Sequence, residues 1–81
     1  MTYTVQVKVM PLKELLDPQG KAVRGGLESI GIAGIQDVRI GKNVTLFIDS
    51  ASEDGAKQIA EEAAKKLLAN PVMEYYEISV N

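Results

Sequence analysis

Ile35-Gln36-Asp37-Val38-Arg39-Ile40-Gly41-Lys42-Asn43-Val44-Thr45-Leu46-Phe47-Ile48 lies near the middle of an 81-residue chain, and its reading decides the fold. Val38 and Ile40 alternate with Asp37 and Arg39, and Val44, Leu46 and Ile48 alternate with Thr45 and Phe47. A period of two residues is the mark of a strand with one buried face, so the stretch predicts two strands. Gly41-Lys42-Asn43 between them reads as a glycine-containing hairpin turn. On the N-terminal side, Tyr3, Val5, Val7 and Val9 alternate with Thr4, Gln6 and Lys8, giving a first strand over about residues 2–10. On the C-terminal side, Tyr76, Ile78 and Val80 alternate with Tyr75, Glu77 and Ser79, giving a fourth.

Helices are predicted between these strands. After an apolar connection from Pro11 to Leu16, Asp17-Pro18 supplies an N-cap acceptor and then the residue best tolerated at a first helical position. Ala22, Val23, Leu27 and Ile30 form one helical stripe, and Gly31 ends it. Gly25-Gly26 inside this helix costs about 1 kcal/mol per glycine relative to Ala, which points to a close helix-to-sheet contact. Ser50-Ala51-Ser52-Glu53 fits a capping box with Ser50 at the cap. The next helix has Ala56, Ile59, Ala60, Ala63 and Leu67 on its predicted buried stripe. Glu61/Lys65 and Glu62/Lys66 stand four apart on its solvated side. Asn70-Pro71 offers a left-handed-tolerant residue and then a helix terminator.

The predicted order is β-α-β-β-α-β, a single domain over residues 1–81. Right-handed crossovers fold this order into an α+β, ferredoxin-like, four-stranded antiparallel sheet of spatial order 4-1-3-2 with both helices on one face. The opposite face is expected to carry Thr4, Gln6, Lys8, Arg39, Thr45, Phe47, Tyr75 and Glu77.

Composition narrows the function. The chain is 46% apolar and 25% charged, with nine Lys and Arg against eleven Asp and Glu, for a net charge of −2. No excess of basic charge is present to neutralise a phosphate backbone, so general nucleic-acid binding is disfavoured. No apolar run approaches the roughly 18 residues of a membrane helix, and the first residues carry no export signal, so the expected location is cytoplasmic. The chain has neither Cys nor His. It therefore lacks the thiolate nucleophile, the imidazole base and the commonest soft metal ligands. A core this small, with no disulfide to support it, points to oligomerisation.

Local motifs support no independent chemistry. RNA recognition on this topology needs aromatics on the first and third strands within a basic motif, and only Phe47 lies where one is wanted. Glu53-Asp54 belongs to a helix start and Glu61-Glu62 to a solvated face. Gly41-Lys42 leads into a strand, not into the helix that a phosphate loop requires.

Three segments remain: Leu16-Asp17-Pro18-Gln19-Gly20-Lys21-Ala22-Val23, Asp37-Val38-Arg39-Ile40-Gly41-Lys42 and Leu67-Leu68-Ala69-Asn70-Pro71-Val72-Met73-Glu74. In their order and spacing the chain resembles the PurS family, the small subunit of formylglycinamide ribonucleotide amidotransferase, or phosphoribosylformylglycinamidine synthase. The resemblance spans almost the whole chain. It departs from the family pattern at Lys13-Glu14-Leu15, at Gly25-Gly26 and at Gly31-Ile32-Ala33-Gly34.

The resemblance implies a non-catalytic subunit in de novo purine synthesis, a homodimer or tetramer that bridges a glutaminase subunit and a large ATP-dependent synthetase subunit during ammonia transfer. It implies no cofactor on this chain, with ATP, Mg and glutamine used by the partner subunits, and neither nucleic acid nor membrane as a partner. Carried over residue by residue, Asp17, Pro18, Gly20, Gly41, Asn70 and Pro71 are structural: they start the first helix, turn the hairpin and stop the second helix. Gln19, Lys21, Arg39 and Lys42 have no such duty and are the expected partner contacts. The competing expectation is a small-molecule-sensing regulatory module of the amino-acid-binding type, which uses the same topology.

Overall fold

A computed structural model describes residues 1–13, 15 and 17–81. The expectations for Glu14 and Leu16 therefore lie outside the described residues. The elements are β1 (Thr2–Pro11), α1 (Pro18–Ser29), β2 (Lys42–Asp49), α2 (Glu53–Ala63), which continues as a π-helical turn (Ala64–Leu68), and β3 (Glu74–Val80).

The alternation in β1 does what the pattern predicts. Val5, Val7 and Val9 are fully buried on one face. β1 is the centre of an antiparallel sheet of order β2-β1-β3, with Val7 opposite Val44 on one side and Ile78 on the other. α2 lies on this apolar face through Ala56 and Ala60, joined by Ala64 of the π-helical turn. Alanines on the contact stripe let the helix come close to the sheet. On the open face, the Gln6 side-chain oxygen accepts from Asn43 Nδ2 at 2.6 Å and Thr45 Oγ1 at 2.8 Å. Phe47 stands beside them, 73% exposed.

The sheet has three strands among the described residues, not four. The order 4-1-3 is kept and the second strand is missing. Residues 35–40 form no ladder, because their backbone is engaged elsewhere: the Ile40 N–H donates to the Asp17 carboxylate, and the Ile35 carbonyl accepts from Arg24 Nε at 3.1 Å. The predicted hairpin is therefore absent. Gly41 serves a close approach instead, since a Cβ there would lie 2.5 Å from the Val9 carbonyl oxygen.

α1 also departs from expectation, which placed it over the sheet beside α2. Within the chain it does not cover the sheet: Gly20 is its one buried residue. α1 and the returning segment 30–40 project as an arm, and the molecule measures 50 × 25 × 14 Å. Its radius of gyration is 16.1 Å, where a compact chain of this length has about 12 Å. Gly25 and Gly26 have nothing within 4 Å of an added Cβ, so the helix-to-sheet contact read from them is not made in this chain. Gly31 ends α1 as expected, with φ of 86°.

Two smaller expectations shift as well. The N-cap of α2 is Ser52, not Ser50: its hydroxyl accepts the Gly55 N–H at 3.0 Å. The π-helical turn closes with the Ala69 N–H donating to the Ala64 carbonyl at 2.9 Å. A π turn holds more than 3.6 residues and so rotates the residues after it about the helix axis. Leu67, expected on the buried stripe, is thus 84% exposed, while Ala64 and Ala69 are buried. Ile59 is also exposed, whereas Ala56, Ala60 and Ala64 are the fully buried residues of this helix and its extension. No helix among the described residues is long and apolar enough to cross a membrane.

Val7→Ala is expected to cost about 2 kcal/mol of unfolding free energy, and Val72→Ala, at an exposed turn, less than about 0.5 kcal/mol, both by urea denaturation.

Candidate functional site

The three segments without a purely structural reading meet at the base of the arm. Asp17 precedes Pro18 with extended backbone (φ −109°, ψ 96°), which aims its carboxylate at the first turn of α1. One oxygen accepts the Gly20 N–H at 3.0 Å, an N-cap bond. The other accepts the Ile40 N–H at 2.7 Å, across 23 residues of sequence. The Arg39 guanidinium completes the clasp, donating to the Leu15 carbonyl at 2.9 Å and to the Leu12 carbonyl. Gly20 is required because a Cβ there would overlap the Val38 carbonyl oxygen, a backbone atom that cannot step aside.

These bonds set the electrostatics. The Ile40 N–H, and after it the Gly20 N–H, holds the Asp17 carboxyl below the ordinary aspartate range, and the Arg39 charge adds to this. Hydrogen bonds to the charged form favour it.

The third segment closes the site. The Leu12 N–H donates to the Met73 carbonyl at 2.9 Å, joining the end of β1 to the turn before β3. Asn70 organises that turn. Its side-chain oxygen accepts the Val72 N–H at 3.0 Å, and its carbonyl accepts the Met73 and Glu74 N–H groups. In return the Asn70 N–H donates to Glu74 Oε1 at 2.7 Å. Asn70 does this without left-handed backbone. Between this turn and the start of α1 lies a cavity of about 460 Å³ whose walls include Asp17, Pro18, Gln19, Ile40, Asn70 and Glu74.

Of the expected partner contacts, Gln19 is exposed at the mouth of this cavity. Lys21 lies on the arm beside Arg24, Gly25 and Glu28, and Lys42 lies beside Lys8 and Met10, so neither joins it. Arg39 differs from expectation in its placement. It is not on the open sheet face, and its guanidinium holds the chain's own carbonyls. Leu12 belongs to the site without having been singled out by sequence, and Met73 and Glu74, which end the third segment, join it without having been named as site residues. Leu12 and Met73 act through backbone groups, which no side-chain pattern reveals, whereas the Asn70-to-Glu74 spacing is a usable signal.

With this geometry in place, the chain can be set beside known proteins. The family profile described as PurS, phosphoribosylformylglycinamidine (FGAM) synthase, matches residues 4–81. The chain belongs to the PurS family. It is 42% identical over 78 residues to the phosphoribosylformylglycinamidine synthase subunit PurS of Bacillus subtilis (strain 168), covering 96% of this chain and 92% of that one. The crystal structure of Methanocaldococcus jannaschii PurS, one of the subunits of formylglycinamide ribonucleotide amidotransferase in the purine biosynthetic pathway, superposes with a TM-score of 0.87 at 34% identity, over 98% of this chain and 95% of that one. A structure of PurLQS from Thermotoga maritima contains a chain that superposes with a TM-score of 0.93 at 25% identity, over 100% of this chain and 99% of that one. This PurS chain is thus a subunit of phosphoribosylformylglycinamidine synthase, an enzyme of purine biosynthesis. The projecting arm falls within the matched length, so it belongs to the family's shape.

Gly20→Ala is expected to cost on the order of 1–3 kcal/mol or more by chemical denaturation, because the overlap is with backbone. The Asp17 pKa is depressed in the folded state, so its contribution is present at neutral pH and is lost as pH falls through the folded-state value. Asp17→Asn is expected to lower the melting temperature at pH 7 and to match the wild type in strong acid. A gap that persists unchanged in acid would contradict the clasp.

Proposed function

We propose that the chain is a non-catalytic assembly subunit, cytoplasmic and at least dimeric, that bridges the glutaminase and ATP-dependent synthetase subunits and supports ammonia transfer between them. The observation that carries this reading is the arm. Its apolar residues Val23, Ile30 and Ile32 are exposed, Ile30 to 72%, and Gly20 is the one residue of α1 that the chain itself buries. An amphipathic helix of this length gains its stability from packing and not from propensity. The arm therefore takes its core from a second copy, and Gly25 and Gly26, unexplained within the chain, permit that copy to approach closely.

The chemistry points the same way. A chain without His or Cys offers neither an imidazole base nor a thiolate nucleophile at neutral pH. Ammonia released into bulk water becomes ammonium and loses the lone pair that attacks an activated amide, so a sealed contact between partners preserves the reaction. ATP, magnesium and glutamine are then used by the larger subunits, and this chain contributes surface. The PurLQS structure from T. maritima supports assembly of this kind.

The isolated chain is expected to show neither glutaminase nor ATPase activity and to restore glutamine-dependent synthesis to the two larger subunits; full activity in its absence would defeat the proposal. The double variant Gly25→Ala, Gly26→Ala is expected to raise helicity in dilute solution, each change favouring the helix by about 1 kcal/mol, while weakening self-association in sedimentation. Tighter association would contradict a close approach at these glycines.

A further inference from the structure

We propose that the cavity at the base of the arm receives a lysine or arginine side chain from one of the larger subunits, an assignment that rests on the assembly role proposed for the chain. The cavity holds about 460 Å³, with Leu15, Ile40 and Met73 among its apolar walls. Two acidic residues, Asp17 and Glu74, line it, and among the described residues no lysine or arginine does; Glu74 also borders a neighbouring hollow with Lys65. Arg39, although close to Asp17, directs its donors to the Leu12 and Leu15 carbonyls. The Asp17 oxygens are both engaged by backbone N–H groups, and Glu74 uses Oε1 on the Asn70 N–H. Glu74 Oε2 accepts no hydrogen bond among the described residues.

That composition selects the occupant. An anion would meet two negative charges, and a purely apolar group would strip water from a carboxylate without replacing its hydrogen bonds. A flexible aliphatic stem ending in a cation satisfies both demands, with the stem on the apolar walls and the head at Glu74 and the Gln19 amide. The entrance is already ordered. The hydrogen bonds of the Asn70–Glu74 turn hold Met73, 53% exposed, as an apolar contact at its wall. Little ordering cost remains for binding. The second copy is already assigned to the arm's apolar face, which leaves this charged cavity for a larger subunit.

The test uses the full-length chain with separately purified glutaminase and synthetase subunits. Glu74→Gln keeps an acceptor for the Asn70 N–H and removes the charge, and Gln19→Lys places a cation at the mouth from an exposed position. Each is expected to weaken association with one larger subunit about tenfold and to flatten its salt dependence, while the mass of the homo-oligomer stays unchanged. Variants that bind as tightly as the wild type overturn the assignment alone. A fall in homo-oligomer mass overturns it in favour of a second copy. Failure of the wild-type chain to bind either larger subunit overturns the assembly role and this assignment with it.

Discussion

Two charged side chains, engaged entirely by backbone groups of their own chain, fix the geometry on which the rest depends. Asp17 takes the N–H groups of Gly20 and Ile40, and Arg39 holds the carbonyls of Leu12 and Leu15. Together they lock the start of α1 against the segment returning to β2, with Gly20 pressed on the Val38 carbonyl. Ion-to-backbone hydrogen bonds are stronger and more directional than neutral ones, which is why so small a cluster can set the angle of an arm. The clasp positions the arm without supplying it with a core.

The separation of roles runs through the molecule. Among the described residues, the sheet and α2 hold the buried apolar side chains: three valines from β1, an isoleucine from β2, three alanines from α2 and its extension, and Ala69 just after it. That core is small for the chain, and the arm adds almost nothing to it. On the proposed assembly, stability is split between what one copy buries and what association buries, as expected of a short chain without disulfides. The same division fits the proposed assembly role, since a subunit that supplies shape needs exposed apolar residues and placed charges.

Much of the fold is legible in sequence, because local patterns report local physics. The valine alternation of β1, the Asp17-Pro18 start of α1 and the Gly31 stop are short-range signals, and each stands in the structure. The segment Ile35–Ile40 shows where such signals end. Its alternation is genuine, yet alternation says that one face is apolar and does not say which strand will cover it. Here the backbone partners of Ile35 and Ile40 are Arg24 and Asp17, and no periodicity announces a side chain that competes for a ladder hydrogen bond. Leu67 leaves its predicted stripe because a π turn shifts the phase of a helix. Arg39 looks free in sequence because its partners are carbonyls, which have no sequence signature. The motif positions nevertheless converge in space, since the Asp17, Arg39 and Asn70 segments meet around one cavity.

On the proposed assembly, α1 is held in place by the clasp and stabilised by association. Hydrogen exchange measured as a function of protein concentration tests this most directly. On dilution through the dissociation range, the amides of α1 are expected to lose protection while those of Val5, Val7 and Val9 in β1 keep theirs. Protection of α1 that equals that of β1 and is independent of concentration would show that one copy suffices, and would contradict the account.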